Sequence, residues 1–515
     1  MSDLETILKR FSEELPTEIF ANGKVGIEKE NLRVLSNNLS KKPHPKTIGS
    51  SLCNKYITTD FSESQLELIT PPYSEKNETI TLLDNIHHFT FRNIGNESLW
   101  PMSMPPFISQ ENEIPIADYG QSNLGLFKKI YRRGLSHRYG LFMQVISGVH
   151  YNYSLPDQIW PILANTSNFI DFRDLKSKEY LKLLRNALRM NWLILYLFGA
   201  SPAVTKNFLI DVSSNFTRFD DLTSYSKYAT SLRMSDIGYQ NFKRQRIKVS
   251  TDSLASYIAD LRQATETHSK EFEKFSVSDS MQQINSNIIQ IEDEYYAVAR
   301  IKSGSEDNIR FSSKLKNTGV DYLELRSLDL DPFSRTGISR ETILFLEIFL
   351  IYCFLKPSKS ISIKEENQIR MNDSSVAYHG RKPGLKLIRK DKEITLKNWA
   401  NEIILEIEII VDMLFKNNPD YIQIVKGIKN KIEDPNLTIS GLIMNEMHDD
   451  KISYLEMGEH ISKSNKEYYE DIKIAKNKHW VILNKEAESS LRRQADLEKR
   501  KEDSYEKFLK LYFQK

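Results

Sequence analysis

Cysteine is scarce: 515 residues contain two, Cys53 and Cys353. Neither belongs to a C-x-x-C pair, and neither has cysteine or histidine neighbours at metal-ligand spacing. That excludes a thiolate zinc site and a disulfide-stapled scaffold. Two thiols fit a reducing compartment, with one long-range disulfide as the alternative, and no positioned histidine marks either as a nucleophile. Long apolar runs are missing too. The longest, ILFLEIFLIYCFL from Ile343 to Leu355, is too short to cross a bilayer and contains Glu347, so it reads as a buried helix. The opening MSDLETILKRFSEELP lacks the pattern of a signal peptide. Leu4, Ile7, Leu8, Phe11 and Leu15 recur at helical spacing, Ser2 and Glu5 resemble a capping box, and Pro16 ends the segment. Without a targeting or spanning segment the expected location is the cytoplasm. Charge of one sign is lacking as well. Lys and Arg number 71 against 69 Asp and Glu, which argues against nucleic acid or an acidic membrane as partner. Neither GxxxxGK[ST] nor GxGxxG occurs, so any ATP site is neither a P-loop nor a Rossmann site.

What is present is an ordinary globular composition, 40% hydrophobic and 10% aromatic. The length asks for one large domain with insertions or for two or three domains. Helical periodicity predicts helices near 78–93, 176–198, 251–275, 338–356 and 396–416. Strand-like runs lie at 25–34, 65–70, 143–154, 282–300 and 320–328, with loops at 41–55, 101–125 and 303–319. The two kinds do not alternate regularly, so a doubly wound parallel sheet is not expected. An α+β fold, an antiparallel or mixed sheet with helices packed on it, is. From about residue 457 the chain is heavily charged, and LRRQADLEKRKEDSYEKF reads as a solvated amphipathic helix.

The chemistry concentrates in the strand-like runs. In VGIEKENLRV, residues 25–34, Glu28 and Glu30 would share one face of a strand, about 6.5 to 7 Å apart. At an effective dielectric of about 20 they repel by roughly 2 to 3 kcal/mol, which calls for a cation nearby. The plain alternative is an exposed helix with Glu30 paired to Arg33. In TTDFSESQLELITPP, residues 58–72, Asp60 ends a turn, Leu66 and Leu68 face a core, and Gln65 and Glu67 face the other way. In QVISGVHYNYSL, residues 144–155, a strand would put Gln144, Ile146, Gly148, His150, Asn152 and Ser154 on one polar face, with the glycine letting another group come close. In DYLELRSLDLDPF, residues 321–333, Glu324 and Arg326 share a face. Five carboxylates and one imidazole suit hard divalent cations, Mg²⁺ or Mn²⁺, more than zinc. Several such ions in one cleft hold polyphosphate, with Arg326 placed to take charge on a transferring phosphoryl group. Finally, YGQSNLGLFKKIYRRGLSHRYG, residues 119–140, clusters Lys128, Lys129, Arg132, Arg133 and Arg138 among aromatics. With the net charge near zero, small carboxylates or phosphates are more economical ligands for it than nucleic acid.

These motifs occur together in a known order. GIEKENLRV, ITTDFSESQLELITP, WPMSMPP, YGQSNLGLFKKIYRRGL, MQVISGVHYNYSLP, YLFGASPAV, YATSLRMSDIGY, QINSNIIQIEDEYYA, YLELRSLDLDPFS and GRKPGL resemble the glutamate–cysteine ligase family of the proteobacterial type. The resemblance is dense over about 20–390 and thins to DPNLTIS at 434–440. It implies a glutamine synthetase-like fold, a curved, mainly antiparallel sheet forming a funnel-shaped metal and ATP site. It implies a catalytic part at 1–395 and a helical extension at 396–515. The implied reaction joins the γ-carboxylate of L-glutamate to the amine of L-cysteine with ATP, through γ-glutamyl phosphate, as the first step of glutathione synthesis. Carried over by motif, the metal ligands are Glu28, Glu30, Asp60, Glu67, His150 and Glu324, with Arg326, Glu324 and Glu67 in catalysis. Phe61, Tyr131, Leu135, Tyr239 and Tyr296 resemble a cysteine pocket. Arg132, Gln144, Asn152 and Arg233 resemble polar substrate contacts, and Arg381 and Lys382 candidate nucleotide contacts. A monomer is implied. A related ligase with a different amine acceptor is the main rival, ahead of a non-catalytic metal-binding relic or a nuclease.

Overall fold

The central strand β1, Lys24–Leu35, is buried along most of its length and carries Glu28 and Glu30 at alternate positions, and the rest of the molecule is arranged around it. The computed structural model describes residues 8, 9, 13, 17–166, 171–209, 216–239, 247–277, 281–304, 310–416, 418–473 and 478–514. The short N-terminal helix expected over Leu4–Leu15 lies largely outside them. The other strands are β2 (Asn38–Leu39), β3 (Ile57–Thr59), β4 (Gln65–Ile69), β5 (Ser98–Leu99), β6 (Val149–Ser154), β7 (Ala203–Thr205), β8 (Thr217–Arg218), β9 (Thr223–Tyr225), β10 (Ala299–Lys302), β11 (Tyr322–Leu328), β12 (Lys386–Arg389) and β13 (Lys392–Thr395). An eight-stranded sheet runs β10-β11-β6-β1-β4-β3, with β2 and β5 beside the far end of β1. Every pairing in it is antiparallel and the sheet is open. The fold is α+β, as expected.

The sheet separates two environments. Ile27, Leu66, Leu68, Tyr151, Tyr153, Leu323 and Leu325 are buried, and helices Lys76–Asn93, Phe172–Phe198 and Arg340–Leu355 pack behind them. Tyr151 OH donates to the Ile343 carbonyl, tying β6 to the third of these. That helix contains the longest apolar run, buried as expected. Its Glu347 is neutralised by Lys76, 2.6 Å away, and accepts from Tyr421 OH at 2.7 Å. Lys29 also points behind the sheet, 2.7 Å from His87 Nε2, and burial lowers it to about 7. No helix among the described residues is long and apolar enough to cross a membrane. Both cysteines are free.

Five expectations need correction. The run 143–154 is a strand only from Val149; Gln144 sits in a 3-10 turn, Met143–Val145, so it reaches its neighbours by loop geometry. The run 282–300 is strand only from Ala299. Before that, buried Gln283, Gln290 and Glu294 satisfy each other, the local backbone and Arg138 through side chains instead of a ladder. The helix expected over 251–275 is Leu254–Glu266, started by a Ser253–Ser256 capping box, and the loop expected over 303–319 contains helix Phe311–Thr318. The charged tail is three helices, Tyr454–Asp471, Lys478–Lys499 and Tyr505–Gln514, and is not one solvated helix. Leu483, Ala487 and Ser490 form a narrow buried stripe, and Ser490 Oγ accepts from Ser50 N at 3.0 Å.

Candidate active site

Register places the acids. Glu28 on β1 lies opposite His150 on β6, and Glu30 lies opposite Glu67 on β4. Glu324 on β11 lies opposite Asn152 on β6 and Arg300 on β10. Residues directly across an antiparallel ladder share a face. So Glu28, Glu30, Glu67, His150 and Glu324 meet on the side of the sheet away from the packed helices, with Asp60 following β3. Ligand atoms of Glu28, Glu67 and His150 all lie within 4.8 Å of one another, a group that could hold a metal ion. His150 Nδ1 is 3.2 Å from Glu28 and 3.8 Å from Glu324, and its Nε2 is 3.8 Å from Glu30.

Electrostatics divides this row. Burial, with Asp60 and Glu67 nearby, pushes Glu30 up to about 8 against the pull of Arg233. Burial, Glu28 and Asp60 do the same to Glu67, also to about 8. Burial opposes the charge of Glu324 too, but Lys302, Arg326 and His150 outweigh it and hold Glu324 below its usual range. Lys302 Nζ is 3.4 Å and Arg326 Nη1 3.2 Å from its carboxylate. Burial and then Arg326 hold His150 below the ordinary imidazole value. The row is therefore compensated at the β10–β11 end and short of positive charge at the β1–β4 end.

This face forms the floor of a cavity of about 1190 Å³. Phe61, Tyr131, Arg132, Leu135, Gln144, Arg233, Tyr239 and Tyr296 line it with the acids and Arg326. Helix Asn123–Tyr139, capped by Ser122 and stopped by Gly140 at φ 79°, carries Tyr131, Arg132 and Leu135. Arg132 is 3.6 Å from Asp60. Tyr239 and Tyr296 stack with centroids 4.8 Å apart, and Tyr239 OH donates to the Ile146 carbonyl at 2.7 Å. Gly148 lets Arg233 approach: a Cβ there would fall 2.1 Å from the guanidinium. Gly148 N–H also donates to Glu30 at 2.7 Å.

Other placements differ from expectation. Asn152 does not line the cavity; its amide donates to Glu28 at 3.0 Å and orients that acid. Arg381 is buried and donates to the carbonyls of Lys227 and Ala229, and exposed Lys382 is also outside the cavity wall. Sequence reasoning missed Lys302 and Arg300, whose signal was the period-two continuation of the run cut at residue 300. Of the basic cluster at 119–140, Lys128 and Arg132 line the cavity; sequence reasoning missed Leu497, Glu502, Phe508 and Tyr512 from the tail, which no local pattern marks.

An open antiparallel sheet with an acid row and two flanking guanidiniums, facing a cavity of this size, fits the chemistry of an ATP-dependent acid–amine ligase. The family model described as Glutamate-cysteine ligase matches residues 8–376. The glutamate–cysteine ligase of Shewanella halifaxensis is 39% identical over 498 residues, 95% of each chain. That of Pseudomonas fluorescens is 37% identical over 493 residues, 95% of this chain and 92% of the relative. Among solved structures, the glutamate–cysteine ligase of Francisella tularensis in complex with AMP superposes with a TM-score of 0.89 at 34% identity, covering 96% of this chain and 98% of that one. The chain belongs to the glutamate–cysteine ligase family, enzymes that use ATP to form γ-glutamylcysteine, the first step of glutathione synthesis.

Proposed function

We propose that this chain joins glutamate to cysteine through γ-glutamyl phosphate, with Mg²⁺ held by Glu28, Glu30, Asp60, Glu67, His150 and Glu324. The observation that supports it is the convergence of these six groups on one cavity floor beside Arg326. Oxygen donors with one imidazole suit Mg²⁺ or Mn²⁺, and two acids raised to about 8 mark a shortage of positive charge that divalent cations would fill. Bound there, Mg²⁺ would screen the mutual repulsion of the ATP phosphates and the glutamate carboxylate.

The chain's own residues then divide the work. Arg326 keeps its positive charge against burial because Glu324 and Tyr296 hold its pKa above the usual value, so it is poised to take charge on the transferring phosphoryl group. Lys302 and Arg326 keep Glu324 ionised. Glu67, on the cavity floor, is the carboxylate placed to take the proton of the attacking amine. Gln144 Nε2 is buried with no hydrogen-bond partner among the described residues, and Arg132 and Arg233 line the same cavity, a set that suits substrate carboxylates. Phe61, Tyr131, Leu135, Tyr239 and Tyr296 supply a compact aromatic pocket for a small thiol side chain. On this reading residues 1–395 are the catalytic part and 396–515 a helical extension, and the enzyme works as a cytoplasmic monomer.

The test is ADP release by the purified protein with Mg²⁺, ATP and glutamate, adding cysteine or 2-aminobutyrate, with mass spectrometry of the product. A γ-glutamyl dipeptide made preferentially from cysteine supports the assignment. Preference for another amine moves the chain to a neighbouring ligase class.

A further inference from the structure

The last helix of the chain, Tyr505–Gln514, lies against the reaction cavity. Phe508 and Tyr512, one turn apart, line it, joined from upstream by Leu497 and Glu502. This helix is not part of the main core. Its apolar side packs into a separate small cluster with Phe127, Ile130, Ile284 and Ile291. The Tyr512 ring centroid is 4.7 Å and that of Phe508 5.8 Å from Phe127. Polar ties hold both ends. Glu502 accepts from Asn123 N at 2.6 Å, Asn123 Nδ2 donates to the Asp503 carbonyl at 2.9 Å, and Arg310 Nη1 donates to the Phe513 carbonyl at 3.1 Å.

Phe127 explains why this matters for the site. Phe127, Tyr131 and Leu135 follow one another at i, i+4 on helix Asn123–Tyr139, so they form a single stripe, and all three line the cavity. Tyr131 and Leu135 belong to the proposed cysteine pocket, and Phe127 is the next turn of the same wall. Tyr512 and Phe508 cover that turn. The second element under the terminal helix, Ile284 to Ile291, leads directly into Tyr296. The same two elements are locked at the other end of the stripe, where Arg138 Nη1 is 3.0 Å from Glu294 and Gly134 sits so close to Gln290 that a Cβ would fall 2.1 Å from its Oε1.

We propose that helix Tyr505–Gln514 is a specificity element that closes the acceptor end of the cavity and limits the amine substrate to a short side chain. This rests on the pocket assignment above. A longer side chain entering past Tyr131 and Leu135 would run into Tyr512 and Phe508.

The test compares wild type, Tyr512→Ala, Phe508→Ala and a chain ending at residue 501. Steady-state kinetics are measured with cysteine, 2-aminobutyrate and the longer norleucine, together with thermal melting. Removing this aromatic contact should raise KM for cysteine about tenfold and raise kcat/KM for norleucine relative to cysteine by about tenfold or more, while KM for ATP and glutamate stays within about twofold. An unchanged acceptor preference, or an equal loss for all three substrates, overturns the proposal. If the shortened chain does not fold, the two point variants decide alone. Should wild type itself make no γ-glutamyl product from cysteine, the functional reading fails and the proposal falls with it. Wild-type turnover with unchanged preference in the variants sinks the wall and leaves that reading intact.

Discussion

Glu30 and Glu67 face each other across the β1–β4 ladder, and each is held near pKa 8. Both values lie above the ordinary carboxylate value of 4.5, so the folded chain binds protons the unfolded chain has released. Their contribution to stability is complete below about 4.5 and is lost as pH rises through about 8. A divalent cation bound there, as proposed, would replace those protons. Mg²⁺ is therefore expected to raise the melting temperature more at pH 8 than at pH 6. Melting curves with and without Mg²⁺ at both pH values measure this, and a larger gain at pH 6 would contradict it.

Glu324→Gln and Glu28→Gln keep shape and remove charge. Each should lower kcat at least about a hundredfold with circular dichroism unchanged, because loss of a ligand exceeds the ten- to hundredfold typical of its supporting partners. Near-normal turnover in both would refute the ligand assignment.

Tyr239 stacks on Tyr296 in the proposed cysteine pocket. Tyr239→Ala should raise KM for cysteine by about ten- to a hundredfold, and KM for glutamate far less. Equal effects on the two substrates would count against this pocket.

Arg138 and Glu294 form an ion pair with no exposure on either side chain, and Glu294 also accepts from Tyr139 OH at 2.6 Å. Arg138→Met leaves a buried carboxylate without its cation. A stability loss of about 3 to 5 kcal/mol is expected in urea unfolding. A loss below about 1 kcal/mol would show the pair to be dispensable.

Much of the site was legible because strand periodicity is strict. Glu28 and Glu30, Gln65 and Glu67, and Glu324 and Arg326 lie where alternation puts them, since the Leu66–Leu68 and Leu323–Leu325 sets that oppose them are buried. The glycine at 148 was readable as a point of close approach, although only the fold names Arg233 as the group that approaches. Gln144 was placed on a strand and sits in a 3-10 turn, because polar residues at alternate positions cannot reveal where a ladder begins. The strand expected over 282–300 failed because Arg138, distant in sequence, satisfies the buried polar groups there.

The sequence alone determined the chemical inventory: the acids and imidazole, the arginines, the missing phosphate-loop motifs and the period-two patterning that makes strands carry them. These are local properties, written within a few residues of each other. Tertiary structure decided which acids are pushed up and which are held down, through the register that sets Glu30 against Glu67 and Lys302 beside Glu324. It also decided that Asn152 serves Glu28, that Arg381 is spent on backbone carbonyls, and that the final helix walls the cavity. Each of these depends on contacts between segments tens to hundreds of residues apart, and a pKa or a cavity wall exists only once those contacts have removed water.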